Sequence, residues 1–224
     1  MSAIEIRNVA FSYRAGKEIL RIPSFHVQRG ERVFLSGVLH GHLGELRVLD
    51  HDLGKMSNHR RDAFRGAHIG YIFQLFNLIS YLNVIDNITL PCRFSSERRR
   101  RLGGADLTKA AGKIALQLGV EAFLNEEVTR LSVGQQQRVA AARALLGNPE
   151  LVIADEPTSA LDYDQRERFI QLLFERCHEA GSTLIFVSHD RTLAPLFDRT
   201  VSLGAINEAG GESRRLCCPS STIP

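Results

Sequence analysis

The 224-residue sequence lacks any apolar run long enough to span a bilayer. The longest runs, such as Gly181 to Ser188, fall far short of the ~20 residues that a spanning helix needs. The opening Met1-Ser2-Ala3-Ile4-Glu5 has none of the basic-then-apolar layout of a signal peptide, so an intracellular protein is expected. Four cysteines (Cys92, Cys177, Cys217, Cys218) show neither metal-site nor disulfide-framework spacing. That fits a reduced compartment and predicts free thiols for the last two. A formal net charge of +3 is too small to argue for nucleic acid. The most consequential absence is local: no Gly-x4-Gly-Lys-Ser/Thr phosphate loop occurs. Gly16-Lys17, Gly54-Lys55 and Gly112-Lys113 are followed by Glu18, Met56 and Ile114, and none has a glycine five positions before its own.

What is present describes a globular chain, 44% apolar and 24% charged, long enough to bury a substantial core. Ile4 to Val9 alternates apolar and polar residues, and Ile19 to Val27 resumes the pattern. The turn Gln28-Arg29-Gly30-Glu31 precedes an apolar strand over Arg32–Ser36. Further short strands are read at 46–49 and 69–73, so the opening third is β-rich. From Asn83 to Gly147 apolar residues recur at helical spacing, most clearly over 107–118 and 134–146. Strand 151–154, helix 164–180 and strand 183–187 then alternate, which argues for a parallel sheet covered by helices. Asn207 to Pro224 has no periodicity and reads as a mobile tail.

The chemistry gathers at predicted strand ends, where an open α/β sheet binds its ligands. Asp155 ends the strand at 151–154 and can hold Mg²⁺ through water, while Glu156 beside it can polarise an attacking water. Ser132 can cap the helix running to Leu146, with Gly134 allowing an anion close to the backbone. Ser132 and Gln135 also make a capping box, a purely structural role that is compatible with phosphate contact. Asp162, alone, is an ordinary first-turn acid. His189 follows the strand at 183–187 and can reach a γ-phosphate. Gln74 ends the strand at 69–73, where its amide oxygen can ligate Mg²⁺ or orient water. Tyr13 can stack on a base. His40, His42, His51 and His59 match no metal-site spacing. The run Arg98–Arg101 reads as a solvated basic face, open to contact with anionic lipid headgroups.

Taken as an ordered set, these residues resemble the nucleotide-binding subunits of ABC transporters, from about Ile4 to about Gly204. The matching pieces are the A-loop aromatic Tyr13, the Q-loop Gln74 and the signature Leu131-Ser132-Val133-Gly134-Gln135. The Walker B strand to Asp155, Glu156, the D-loop Ser159–Asp162 and the switch His189 complete them. Residues 69–78 look most like the lipoprotein-release, macrolide-export and cell-division branch. The resemblance implies an α/β fold, a P-loop NTPase-like parallel sheet core with an N-terminal antiparallel β subdomain. An α-helical subdomain would be inserted at about 75–147, within one ATPase domain over 1–206. It implies ATP and Mg²⁺ as ligands, with Glu156 and His189 catalytic and Gln74 and Asp155 at the metal. Tyr13, Gly37, Gln74, Ser132, Gly134, Gln135, Asp155 and Asp162 would contact the nucleotide. It also implies a dimer of ATPase subunits, identical or different, on a membrane permease at the inner face of the cell membrane.

The pattern breaks after Ser36. Gly37 looks like the first glycine of the missing loop, and Gly44-Glu45-Leu46 like the Gly-Glu that follows the missing helix. Only residues 37–44 lie between Ser36 and Glu45, whereas a phosphate loop plus a helix crossing a sheet needs about a dozen or more. One core helix is therefore expected to be missing, leaving an apolar groove and weak ATP binding. Three readings stay open: an impaired ATPase subunit, a non-catalytic partner offering its signature in trans, and a defective deletion copy.

Overall fold

The structure, a computed structural model, describes residues 1–12, 18–36, 45–159 and 161–209. Tyr13, Gly37, His40, His42, Ala160 of the D-loop, Cys217 and Cys218 lie outside the described residues. The chain opens with β1 (Ser2–Ser12) and β2 (Glu18–Gln28). There follow β3 (Arg32–Ser36), β4 (Glu45–Val48) and β5 (His51–Asp52). Next come α1 (Asn58–His68), β6 (Ile69–Ile72), α2 (Val84–Phe94), α3 (Ser96–Arg101), α4 (Leu107–Gln117) and α5 (Val133–Leu145). The last third holds β7 (Leu151–Asp155), α6 (Tyr163–Ala180), β8 (Thr183–Val187), β9 (Arg199–Ser202) and α7 (Leu203–Ile206).

Two sheets result. The first is antiparallel, in the order β2-β1-β4-β5, with Ile4 facing both Val27 and Val48. The second is parallel throughout, in the order β6-β7-β8-β3-β9. Its central strands read as nearly unbroken apolar runs because both faces are covered. On one face α2, α4, α5 and α6 close a core around Phe34, Ile88, Val139, Phe169, Leu184 and Phe186. Gly70 is required at the contact between β6 and α5, since a Cβ there would lie 2.4 Å from the Ala144 carbonyl oxygen.

The opposite face turns its alternate residues Leu35, Ile69, Ile153 and Ile185 toward the antiparallel sheet. The two sheets meet at Val33, Val48 and Leu151 but leave between them a cavity of about 380 Å³. Leu46 and Val48 line it from the other side, and among the described residues its polar members are Tyr71 and Asp155.

Two expectations from the sequence change here. The run Arg98–Arg101 is a solvated face only in part: Arg99 and Arg100 are exposed, but Arg98 is 1% exposed. Its Nη1 donates to the carbonyls of Ala144 and Leu146 at 3.2 and 3.3 Å, capping the orphan C-terminal carbonyls of α5. Burial pulls its guanidinium down to about 10, so it stays cationic at neutral pH. Arg101 joins Glu97 and Glu150, each at 3.1 Å. The tail also starts later than Asn207. That side chain accepts from the Arg21 N–H at 2.8 Å and donates to the Ile19 carbonyl at 3.0 Å, because β2 offers free edge groups. Residues 210–224 lie outside the described residues.

Candidate functional site

The strand order brings the C-terminal ends of β6, β7, β8 and β3 side by side, with Ile72 opposite Ala154 and Asp155 opposite Val187. Asp155, half-buried, is the last residue of β7. Its Oδ2 lies 3.5 Å from the Tyr71 hydroxyl, and the carboxylate has no other hydrogen-bond partner among the described residues. Burial, and then Asp155 itself, raises the Tyr71 phenol above its ordinary value. An uncommitted carboxylate at a strand end fits a hydrated Mg²⁺. Gln74 is exposed in the turn after β6, within the same edge of the sheet.

Glu156 follows directly and leaves the strand at φ 45°, a left-handed conformation that is costly for a residue with a Cβ. Its N–H donates to the Val187 carbonyl at 2.9 Å, which fixes the turn. Its two oxygens then accept separately, Oε1 from the His189 N–H at 2.7 Å and Oε2 from the Ser188 hydroxyl at 3.1 Å. The His189 ring is 73% exposed, with Nε2 3.6 Å from Glu156 Oε1. The end of β8 therefore aims the carboxylate and leaves the imidazole free to meet a ligand from solvent. A carboxylate so oriented can polarise a water.

Ser132 caps α5: its Oγ accepts from the Gln135 N–H at 3.3 Å, and Gln135 Oε1 accepts from the Ser132 N–H at 2.8 Å. The capping box is formed, and both residues remain accessible at the helix N-terminus. Gly134 packs so closely that a Cβ would sit 3.1 Å from Gln165 Oε1 and 3.6 Å from Leu161 Cδ2. Asp162 caps α6, its Oδ1 accepting from the Gln165 N–H at 2.9 Å and its Oδ2 from the Gln165 amide at 2.6 Å. Signature and D-loop are thus joined through Gln165. Among the described residues no side-chain hydrogen bond links Ser132 or Gln135 to Asp155 or Glu156.

Several supporting side chains escape sequence reasoning. Ser188 has no pattern of its own, yet it holds both Glu156 and the Asp190 N–H, the latter at 3.2 Å. Gln137 is fully buried and donates to the Pro157 carbonyl, tying α5 to the chain leaving β7. Arg143 donates to the carbonyls of Phe76 and Asn77, each at 2.6 Å. Those two residues have φ 59° and 48°, so Arg143 pins the turn that carries Gln74. Arg166 pairs with Asp190 and donates to the Leu161 carbonyl at 3.2 Å, linking the D-loop to the residue after His189. Of the histidines clustered in the sequence, His51 donates from Nδ1 to the Leu49 carbonyl at 2.7 Å and packs at a tilt against Phe64, a packing role. His59 is exposed on α1.

Comparison with known proteins follows the same lines. The family described as "ABC transporter" matches residues 33–159. An uncharacterized ABC transporter ATP-binding protein of Escherichia coli, YbbA, is 38% identical over 169 positions, 75% of this chain and 72% of its own length. The lipoprotein-releasing system ATP-binding protein LolD of Porphyromonas gingivalis is 30% identical, over 89% of this chain and 95% of its own. MJ0796 of Methanocaldococcus jannaschii is 33% identical over 224 positions, 89% of this chain and 92% of its own. A dimeric post-hydrolysis structure of MJ0796 bound to ADP and Pi superimposes with a TM-score of 0.78, covering 92% of this chain and 95% of that one.

Proposed function

We propose, from the premise that this chain belongs to the ABC transporter family of ATP-binding subunits, that its own phosphate site is impaired while its signature face is intact. In this reading Ser132 and Gly134 close over ATP held by the phosphate loop of a second ATPase subunit. ATP and Mg²⁺ are the ligands, with Asp155 and Gln74 at the metal, Glu156 aligning water and His189 meeting the γ-phosphate. The Mg²⁺ supplies charge neutralisation on the phosphates when bound; Asp155 and Gln74 orient it.

The observation that carries the impairment is the eight-residue step from Ser36 at the end of β3 to Glu45 at the start of β4. Residues 37–44 contain no lysine and no serine or threonine, so the cationic and metal-binding side chains of a phosphate loop are absent from the sequence there. Each such charge-assisted bond contributes roughly 1.5–3 kcal/mol. Losing three costs on the order of 5 kcal/mol, more than about a thousandfold in affinity. Two facts support a lost block rather than a diverged one. The match to MJ0796 runs over 224 positions yet covers 89% of this 224-residue chain, so about a tenth of those positions face a gap here. The cavity between the sheets lies beside Leu35 and Leu46, which flank the step.

The membrane side of the assignment rests on the turn after β6 and on α2, where Leu75, Tyr81 and Phe94 are each more than four-fifths exposed. Such apolar side chains, held on a pinned turn, suit a permease at the inner face of the membrane. The test is to mix the chain with a homologue that carries an intact phosphate loop. Stimulated ATPase activity that disappears with Ser132→Arg is expected; no stimulation, or stimulation indifferent to that change, contradicts the proposal. The undisturbed Glu156–Ser188–His189 geometry favours one second reading, a recent deletion copy. Resequencing the gene across codons 30–50 separates the two.

A further inference from the structure

We infer that the cavity between the two sheets is a binding site for an apolar molecule carrying a cationic head, an alkylammonium ion being the simplest member of the class. The volume of about 380 Å³ falls inside the ~300–1,000 Å³ of small-molecule sites, which are mostly apolar with a few placed polar groups. Here the walls are the facing sides of two sheets: Ile6 and Leu46 from the antiparallel one, Leu35, Ile153 and Ile185 from the parallel one. Among the described residues these walls are hydrogen-bonded β-structure.

Among the described residues one charged group lines it. Asp155 ends β7 at the cavity, with the Tyr71 hydroxyl 3.5 Å away and no cation paired to it among the described residues. An apolar body satisfies the walls, and a head that donates hydrogen bonds and carries positive charge satisfies the carboxylate. An anionic head is repelled by Asp155, and a neutral one leaves the carboxylate uncompensated. The preference is specific to this place, because the chain as a whole is cationic, with a formal net charge of +3. Bulk electrostatics would favour a carboxylate ligand instead. The inference concerns the nucleotide-free chain, in which Asp155 is not engaged by Mg²⁺, and among the described residues it uses only the cavity and that carboxylate.

The experiment is calorimetric titration of the purified chain, free of nucleotide and Mg²⁺, with decylamine, decanol and decanoate below their micellar range. Saturable one-to-one binding of decylamine is expected, at least about tenfold tighter than decanol or decanoate. Asp155→Asn brings decylamine to the decanol level while decanol is unchanged. Leu46→Trp, which fills the cavity from the antiparallel wall, abolishes binding of both in a chain whose circular dichroism is native. Ile6→Trp serves the same purpose if Leu46→Trp fails to fold. Absence of saturable binding overturns the inference. Equal binding of amine and alcohol by the unmodified chain overturns it too, as does amine binding that survives the filled cavity.

Discussion

Glu156 is held at φ 45° by one backbone bond and is aimed by two acceptor contacts that use both of its oxygens. Strain of this kind persists only where the surroundings over-determine it. In a chain given back a phosphate loop, Glu156→Gln is expected to lower the hydrolysis rate by ~10²–10⁴ while leaving ATP affinity nearly unchanged. A phosphate-release assay beside equilibrium binding checks this, and equal losses in both would remove Glu156 from the chemistry. The thiols offer a second test at the same scale. Burial pushes the Cys177 thiol up to about 12 and raises Cys92 as well. Iodoacetamide at neutral pH is expected to label neither residue in the folded chain and both in denaturant, read by peptide mass spectrometry. The placement of the acid pair and His189 at strand ends was legible because the apolar runs before them mark β7 and β8. Ser188 was not, because a serine hydroxyl bond is set by the geometry of β8 against β7 and leaves no periodic trace. Arg98 misled the reading outright: four consecutive arginines suggest water, but the free carbonyls of Ala144 and Leu146 draw the first of them inside.

β8 lies at the centre of the parallel sheet, and its Phe186 forms the middle of an aromatic cluster. The rings of Phe34 and Phe197 lie 6.3 and 5.0 Å from it, and Phe174 meets Phe197 edge-on at 4.9 Å. Phe186→Ala is expected to cost about 3–5 kcal/mol in urea unfolding; a loss under about 1 kcal/mol would deny the cluster its role. β9 is tied to the start of β3 through Arg32, which donates to Asp198 from both Nε and its backbone N–H. That bonding holds the Asp198 carboxyl below its ordinary 3.8. The native chain therefore binds fewer protons here than the unfolded chain. The stabilisation is full above pH 3.8 and is lost as pH falls through the lowered native value. The pair is over a third exposed, so the effect is ~1 kcal/mol or less. Asp198→Asn is expected to flatten the stability profile below pH 4, and an unchanged acid limb would contradict the assignment. Elements with strong periodicity, α5 and α6 among them, were readable from the sequence to within a residue or two. The ladder of β1 and β2 is longer than its alternating core suggested, because hydrogen bonds across the pair extend it beyond the patterned residues.

At the scale of the whole molecule, two sheets and a helical layer are assembled as in the ABC cassette, with the Walker B edge, the D-loop and the signature helix connected by Gln137, Gln165 and Arg166. The family was legible because its signature and Walker B strand are local in sequence. The short step between β3 and β4 was legible as a count of residues, whereas the cavity between the sheets, lined by Leu35 and Leu46, was not, because it depends on how two separate sheets face each other. The most direct test is calorimetric titration of Mg-ATP into the chain as it stands and into one with a phosphate loop and helix from MJ0796 inserted between Ser36 and Glu45. No tight binding by the first is expected, and at least about a thousandfold gain by the second. Tight Mg-ATP binding by the unmodified chain would contradict it.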